Sequence, residues 1–146
     1  MSDRLQRILI ASEFGERSCA AEEFATHLAE TADATLFLVH AIEPIVGLDD
    51  PSENEGIREF YGKLLAQAND RSEKRINAWA ERGIQANRHV EIGSRWRVIL
   101  AQAEMVNADL IVMGRRKYGG EDSFAIGTTS QKVFFATERR TLFVPQ

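Results

Sequence analysis

Apolar positions along this chain fall into two alternating patterns, short unbroken runs and longer stripes at helical spacing. The run Arg7-Ile-Leu-Ile-Ala-Ser12 has no polar alternation, which is how a parallel strand covered on both faces reads. It predicts a first strand. Ser18 then offers an N-cap, and Ala21, Phe24, Ala25 and Leu28 follow at the i, i+3, i+4, i+7 spacing of one helix face, with the helix expected to end near Thr31. Thr35–Ala41 is a second buried run, and Pro44 stops it soon after Ile42. The segment Ile45–Glu55, rich in Gly, Asp, Pro, Ser and Asn, predicts a loop long enough to border something. Beyond it Ile57, Phe60, Tyr61, Leu64, Leu65, Ala68, Ser72, Ile76, Trp79 and Ala80 form one stripe at period 3.6, a long helix that Gly83 is placed to end. Gln85–Ile92 predicts a third strand, and Trp96, Ile99, Leu100, Ala103 and Val106 a third helix. Asp109–Met113 predicts a fourth strand ending at Gly114, Thr128–Thr137 a short last helix, and Thr141–Val144 a final strand.

Strands alternating with helices through short connections imply right-handed crossovers and an α/β fold, a doubly wound parallel sheet with helices on both faces. A length of 146 residues fits one domain over 1–146, and no repeat, low-complexity tract or linker divides it. Ligands of such sheets bind at the C-terminal strand ends where the winding reverses. The positions that matter are therefore Ser12–Arg17, Val39–Ile42 and Gly114–Ser130.

Charge narrows the partners. With 18 basic and 22 acidic residues the formal net charge is -4, which argues against nucleic acid or an anionic membrane as the main partner. The single cysteine, Cys19, forms no internal disulfide and is expected as a packed small residue in the first helix. Met1–Arg7 is polar and charged, unlike a signal peptide, and no run approaches the roughly 18 apolar residues of a membrane span. A cytoplasmic protein is expected. Trp79 and Trp96 lie on apolar stripes and are expected in the core, His40 reads as a hydrogen-bonded residue at a strand end, and His27 and His89 lack partners at metal-ligand spacing. No Ser-His-Asp arrangement or spaced carboxylate pair points to dedicated catalysis.

At Asp109-Leu-Ile-Val-Met-Gly114, followed after a loop by Ile126-Gly-Thr-Thr-Ser-Gln-Lys-Val133, the chain resembles the universal stress protein family. Arg7-Ile-Leu-Ile-Ala-Ser-Glu-Phe14, Leu38-Val-His-Ala-Ile-Glu-Pro44, Glu91-Ile-Gly93 and Thr141-Leu-Phe-Val-Pro145 extend the likeness over nearly the whole chain. The resemblance implies a five-stranded sheet in the order 3-2-1-4-5, of the adenine-nucleotide α-hydrolase-like kind. It also implies a homodimer that pairs the last strands, here Thr141–Val144. ATP-binding members carry Gly-x-x-Gly, nine residues, then Gly followed by Ser or Thr. The frame fits Gly114-Arg115-Arg116-Lys117, the nine residues Tyr118 to Ile126, then Gly127-Thr128.

Two positions depart from that frame. Lys117 replaces the second glycine, which would allow positive φ and a close approach of backbone N–H groups to phosphate. Glu13 replaces an aspartate, keeping the charge while adding a methylene that displaces any contact to a ribose or a metal-bound water. Lys117 reads either as a plug in the phosphate position or as a cation paired with it. Gly127, Thr128 and Thr129 still open a helix whose free N–H groups and dipole favour an anion, and Arg115 and Arg116 add positive charge. The implied ligand is ATP, with magnesium, on Ser12, Glu13, Val39, Gly114, Arg115, Arg116, Lys117, Gly127, Thr128 and Thr129. The implied role is a regulatory stress-response module acting through a protein partner that the sequence does not identify. Two rivals are a dimeric interaction module that binds no nucleotide and a slow ATP hydrolase in which Glu13 positions water.

Overall fold

In the computed structural model, which describes residues 3–45, 54–115 and 128–146, strands and helices alternate without exception. The order is β1 (Arg7–Ala11), α1 (Glu16–Ala32), β2 (Thr35–Ile42), α2 (Glu55–Glu81), β3 (Ala86–Ile92), α3 (Arg95–Met105), β4 (Leu110–Arg115), α4 (Thr128–Ala136) and β5 (Arg140–Pro145). All the strand pairs are parallel, in the order β3-β2-β1-β4-β5. The expected fold class and strand order are both present. β1 lies at the centre, with Leu9 opposite Phe37 of β2 and Ile111 of β4.

The unbroken apolar runs follow from cover on both faces of the sheet. Ile8 and Ile10 turn to one side, where Ala21, Ala25 and Ala29 of α1 and Trp79 of α2 close over them. Leu9 turns to the other, against Val98, Ile99 and Ala103 of α3 and Val133 of α4. Small residues on α1 let that helix sit close to the sheet. Each fully buried Ile or Leu here adds roughly 1.5–3 kcal/mol over its exposed state, and β1 contributes three in a row.

Two helical stripes sit differently from their sequence pattern. α1 opens at Glu16 after Gly15, so Ser18 lies inside the first turn, and its hydroxyl accepts the Glu13 N–H at 2.8 Å instead of capping the helix. Its buried face runs through Ala21, Ala25 and Ala29, and this rotation leaves Phe24 42% exposed and Cys19 exposed instead of packed. On α2 the buried line is Tyr61, Ala68, Ser72 and Trp79, which turns Phe60 and Ala80 outward. Trp96 is half-buried, with the Arg97 and Lys132 cations 5.2 and 5.8 Å from its ring centre. Asn54 caps α2 by accepting from the Gly56 and Ile57 N–H groups at 2.8 and 3.3 Å, and the Ile45 N–H bonds the Tyr61 hydroxyl at 2.9 Å. The predicted loop between them, residues 46–53, lies outside the described residues.

Polar clamps hold the strand starts at the opposite end of the sheet. The buried Asp109 carboxylate accepts the Gln6 and Arg7 N–H groups at 2.8 and 2.9 Å, tying β1 to β4. Arg139 bonds both Glu104 oxygens at 3.0 Å and the Ala108 carbonyl at 2.7 Å, so the turns before β4 and β5 are joined. Its paired guanidinium holds the Glu104 carboxyl below the usual carboxylate range. The two sheet edges differ in character. β3 carries Asn87, Arg88, His89 and Glu91, with Arg88 bonded to Asn69 and Ser72 of α2, whereas β5 presents Leu142, Phe143 and Val144.

Asp109→Ala removes the buried acceptor of the Gln6 and Arg7 N–H groups and is expected to cost about 3 kcal/mol. Urea unfolding that showed a loss below about 1 kcal/mol would mean that the β1–β4 junction does not depend on this carboxylate.

Candidate functional site

Strand β1 ends in a turn fixed almost entirely by side chains. The Ser12 N–H still bonds the Val39 carbonyl at 3.0 Å, continuing the sheet by one residue. Its buried hydroxyl donates to Glu22 of α1 and accepts the Phe14 N–H at 3.0 Å. Glu22 is held in turn by Arg75 of α2, whose Nε lies 2.9 and 3.0 Å from its two oxygens. The Arg75 guanidinium sits 4.6 Å from the Phe14 ring centre, and that ring lies 4.4 Å from His40. Phe14 adopts φ 62°, a left-handed conformation that costs a non-glycine residue on the order of 1–3 kcal/mol and is sustained by these contacts.

This turn aims Glu13 across the end of β2. Its carboxylate pairs with Arg95 at the start of α3, Oε1 to Nη1, at 3.2 Å. Glu43, just after β2, accepts the Arg95 backbone N–H at 3.2 Å and so serves the free N-terminus of α3. His40 points its Nδ1 at the Ser12 carbonyl, 2.7 Å away. Burial pushes its pKa below the ordinary histidine value; the bond to Ser12 and the Glu13 charge oppose that, and the Arg95 and Arg71 cations reinforce it. A neutral ring with Nδ1–H donating to the carbonyl fits all of these neighbours.

Between the ends of β1 and β4, where the chain's winding direction reverses, a cleft opens toward α3 and α4. One end is apolar, formed by Ala11, Val39, Ala41, Ile99 and Met113. The other is polar, formed by Gly114 and Arg115 at the end of β4 and by Thr128, Thr129 and Ser130 in the first turn of α4. The first-turn backbone N–H groups of α4, threonine hydroxyls and the positive end of the helix dipole meet there beside the Arg115 cation, an arrangement suited to an anion.

The cleft gathers Ser12, Glu13, Val39, Gly114, Arg115, Thr128 and Thr129, seven of the positions expected from the sequence. Arg116, Lys117 and Gly127 lie outside the described residues. Ser12 lines the cleft with its hydroxyl already engaged by Glu22. Residues that sequence reading passed over are Arg95, Ile99 and Met113; Ser130 lies within the Gly114–Ser130 stretch it marked. The signal for Arg95 was its place just after Gly93-Ser94, where a helix opens at the same end of the sheet as Ser12 and Gly114. Among the described residues no group of three or more His, Cys, Asp or Glu side chains is placed to hold a metal ion, and no helix is long and apolar enough to cross a membrane.

The model of the universal stress protein family matches residues 4–144. The Thermus aquaticus universal stress protein named for the QAH/OAS sulfhydrylase 3′ region is 33% identical over 129 residues, 86% of this chain and 88% of that protein. Among solved structures, the universal stress protein UspA from Lactobacillus plantarum superposes with a TM-score of 0.81 at 18% identity, covering 98% of this chain and 99% of that one. A universal stress protein in complex with cAMP superposes with a TM-score of 0.64 at 19% identity, covering 97% and 98%.

The lowered pKa of His40 has a consequence for stability. Between that value and the unfolded value of about 6.5 the unfolded chain binds more protons than the native one, so stability rises with pH and is lost as the pH falls through this window. Thermal unfolding from pH 7.5 down to 5 is expected to show a decline that His40→Gln flattens; equal pH profiles for both proteins would refute it.

Proposed function

This chain belongs to the universal stress protein family, and from that premise we propose that it is a cytoplasmic regulatory module that binds an adenine nucleotide, ATP in the first instance. The observation that carries this reading is the two-ended cleft, apolar at Val39, Ala41 and Ile99 and anion-seeking at Arg115, Thr128 and Thr129. The base would lie against the apolar end. The phosphates would meet the backbone of Gly114 and Arg115 and the first turn of α4, continued by Gly127. Arg116 and Lys117 follow directly in the sequence, and Lys117 is read here as a cation for the phosphates. Magnesium would be held chiefly by the phosphates themselves. A fold relative was solved with cAMP, a further point in favour of an adenine nucleotide.

Bound nucleotide would order the two sides of the cleft against each other and alter the surface offered to a protein partner. We place a homodimer on β5. The exposed rings of Phe134 and Phe135 on α4 stand beside that strand, with Phe134 6.4 Å from Phe143, and they would be covered in a pair. A slow hydrolase would need Glu13 to position water, and its commitment to Arg95 favours a binding module instead. That same commitment, together with Lys117, is what favours the second reading, an interaction module without nucleotide.

Nucleotide released by denaturing the purified protein, or a thermal shift with ATP and magnesium, is expected; an empty protein that ignores both would select the second reading. Replacing Thr128 and Thr129 together by valine should weaken ATP about tenfold with the fold intact, and unchanged affinity would move the phosphates elsewhere. Phe135→Lys, at a side chain 75% exposed, should shift sedimentation from dimer toward monomer without lowering the melting temperature. A dimer as tight as the parent's would exclude α4 from the interface.

A further inference from the structure

Resting on that nucleotide reading, we propose that the Glu13–Arg95 ion pair is a displaceable strap that controls access to the base end of the cleft. Glu13 follows β1 and Arg95 follows β3, while β2 lies between those strands in the sheet. The pair therefore arches over the C-terminal end of β2. Both side chains line the cleft on the α3 side, and both line a second hollow on the α2 side, with Phe14, His40 and Leu64. The pair is the partition between the two.

Its two ends are anchored and its middle is loose. The Glu13 backbone is tied to Ser18 and the next residue to Ser12, while the Arg95 backbone is tied to Glu43. The joined side chains are themselves 41% and 47% exposed and meet through one Nη1–Oε1 contact at 3.2 Å. Arg95 Nε, buried, has no hydrogen-bond partner among the described residues, so the closed arrangement leaves this donor unused there. A half-exposed pair with one contact is weakly held. It can part by rotation of two side chains while every backbone tie stays in place.

The length of Glu13 is what permits the arch. An aspartate at this position is shorter by one methylene and would leave the Arg95 guanidinium beyond ion-pair distance with the charge unchanged. Glu13→Asp should then act as Arg95→Met does, by freeing the mouth of the cleft.

Stopped-flow binding of the fluorescent analogue N-methylanthraniloyl-ATP to the full chain separates the outcomes. Each single variant is expected to raise the association rate constant about two- to fivefold, and the double variant no further than either single one. High salt should bring the variant-to-parent ratio toward one by screening the pair in the parent. Binding by the variants alone would support the strap most directly. A parent that binds with the same association rate as both variants, or an Arg95→Met effect confined to faster dissociation, would overturn the strap and leave the nucleotide reading standing. No binding by any of the four proteins would overturn the nucleotide reading and the strap with it.

Discussion

The handedness of the crossover between parallel strands is the constraint on which this molecule depends. A right-twisted strand followed by a helix returns to the sheet on one side only. The first two crossovers therefore carry the chain from β1 through β2 to β3 in one direction. The return to β4 then passes back across β1 and continues outward to β5, giving the order β3-β2-β1-β4-β5. The helices that follow β1 and β4, α1 and α4, pack on opposite faces of the sheet, so neither fills the space between the strand ends. The cleft is a by-product of winding, present before any residue in it is chosen. Side chains then decide what it holds, with a smooth apolar wall from strands and α3 at one end and the opening turn of α4 at the other.

Much of this was legible because a strand buried on both faces must be apolar at every position. Ile8, Leu9, Ile10, Ile111 and Val112 are fully buried, and their runs admit no other reading in a chain of alternating elements. The helices were less legible, since a stripe at 3.6 spacing fixes a face only within a residue or so. Ser18 has the chemistry of a cap, but the Glu13 N–H claims its hydroxyl from outside the helix. Phe24 fits the stripe of α1, yet alanines at the true contact line bring the backbone too near the sheet for a large ring. Glu13 was recognisable as a departure, while its partner was not, because local pattern says nothing about which distant side chain lies within reach. Arg95 and Ile99 became visible only once strand order placed their helix beside the cleft.

Charge around the site is arranged in closed pairs. Glu22 is shared by Ser12 and Arg75, Glu13 is met by Arg95, and Glu43 sits on a helix N-terminus. A buried or half-buried charge is tolerated when its partners are fixed, and each of these is held from a different element. The turn after β1 is thereby braced against α1, α2 and α3 at once, and this bracing holds Phe14 in a conformation it would otherwise avoid. Arg115 brings a further positive charge to the end of β4, where it lines the cleft beside the first turn of α4.

The two sheet edges are unequal, and their inequality limits how far association can run. An edge strand offers unpaired backbone groups to any chain that approaches. β3 meets that hazard with asparagine, histidine, arginine and glutamate, whereas β5 leaves leucine, phenylalanine and valine along its length. A head-to-tail stack would need the apolar edge of one copy to accept the charged edge of the next, again and again, and these edges are poorly matched for it. Two copies meeting β5 to β5 use identical patches and consume both at once. In the proposed β5 pair growth would have nowhere to continue, so the same asymmetry that exposes one edge would keep association from running on into open-ended fibres.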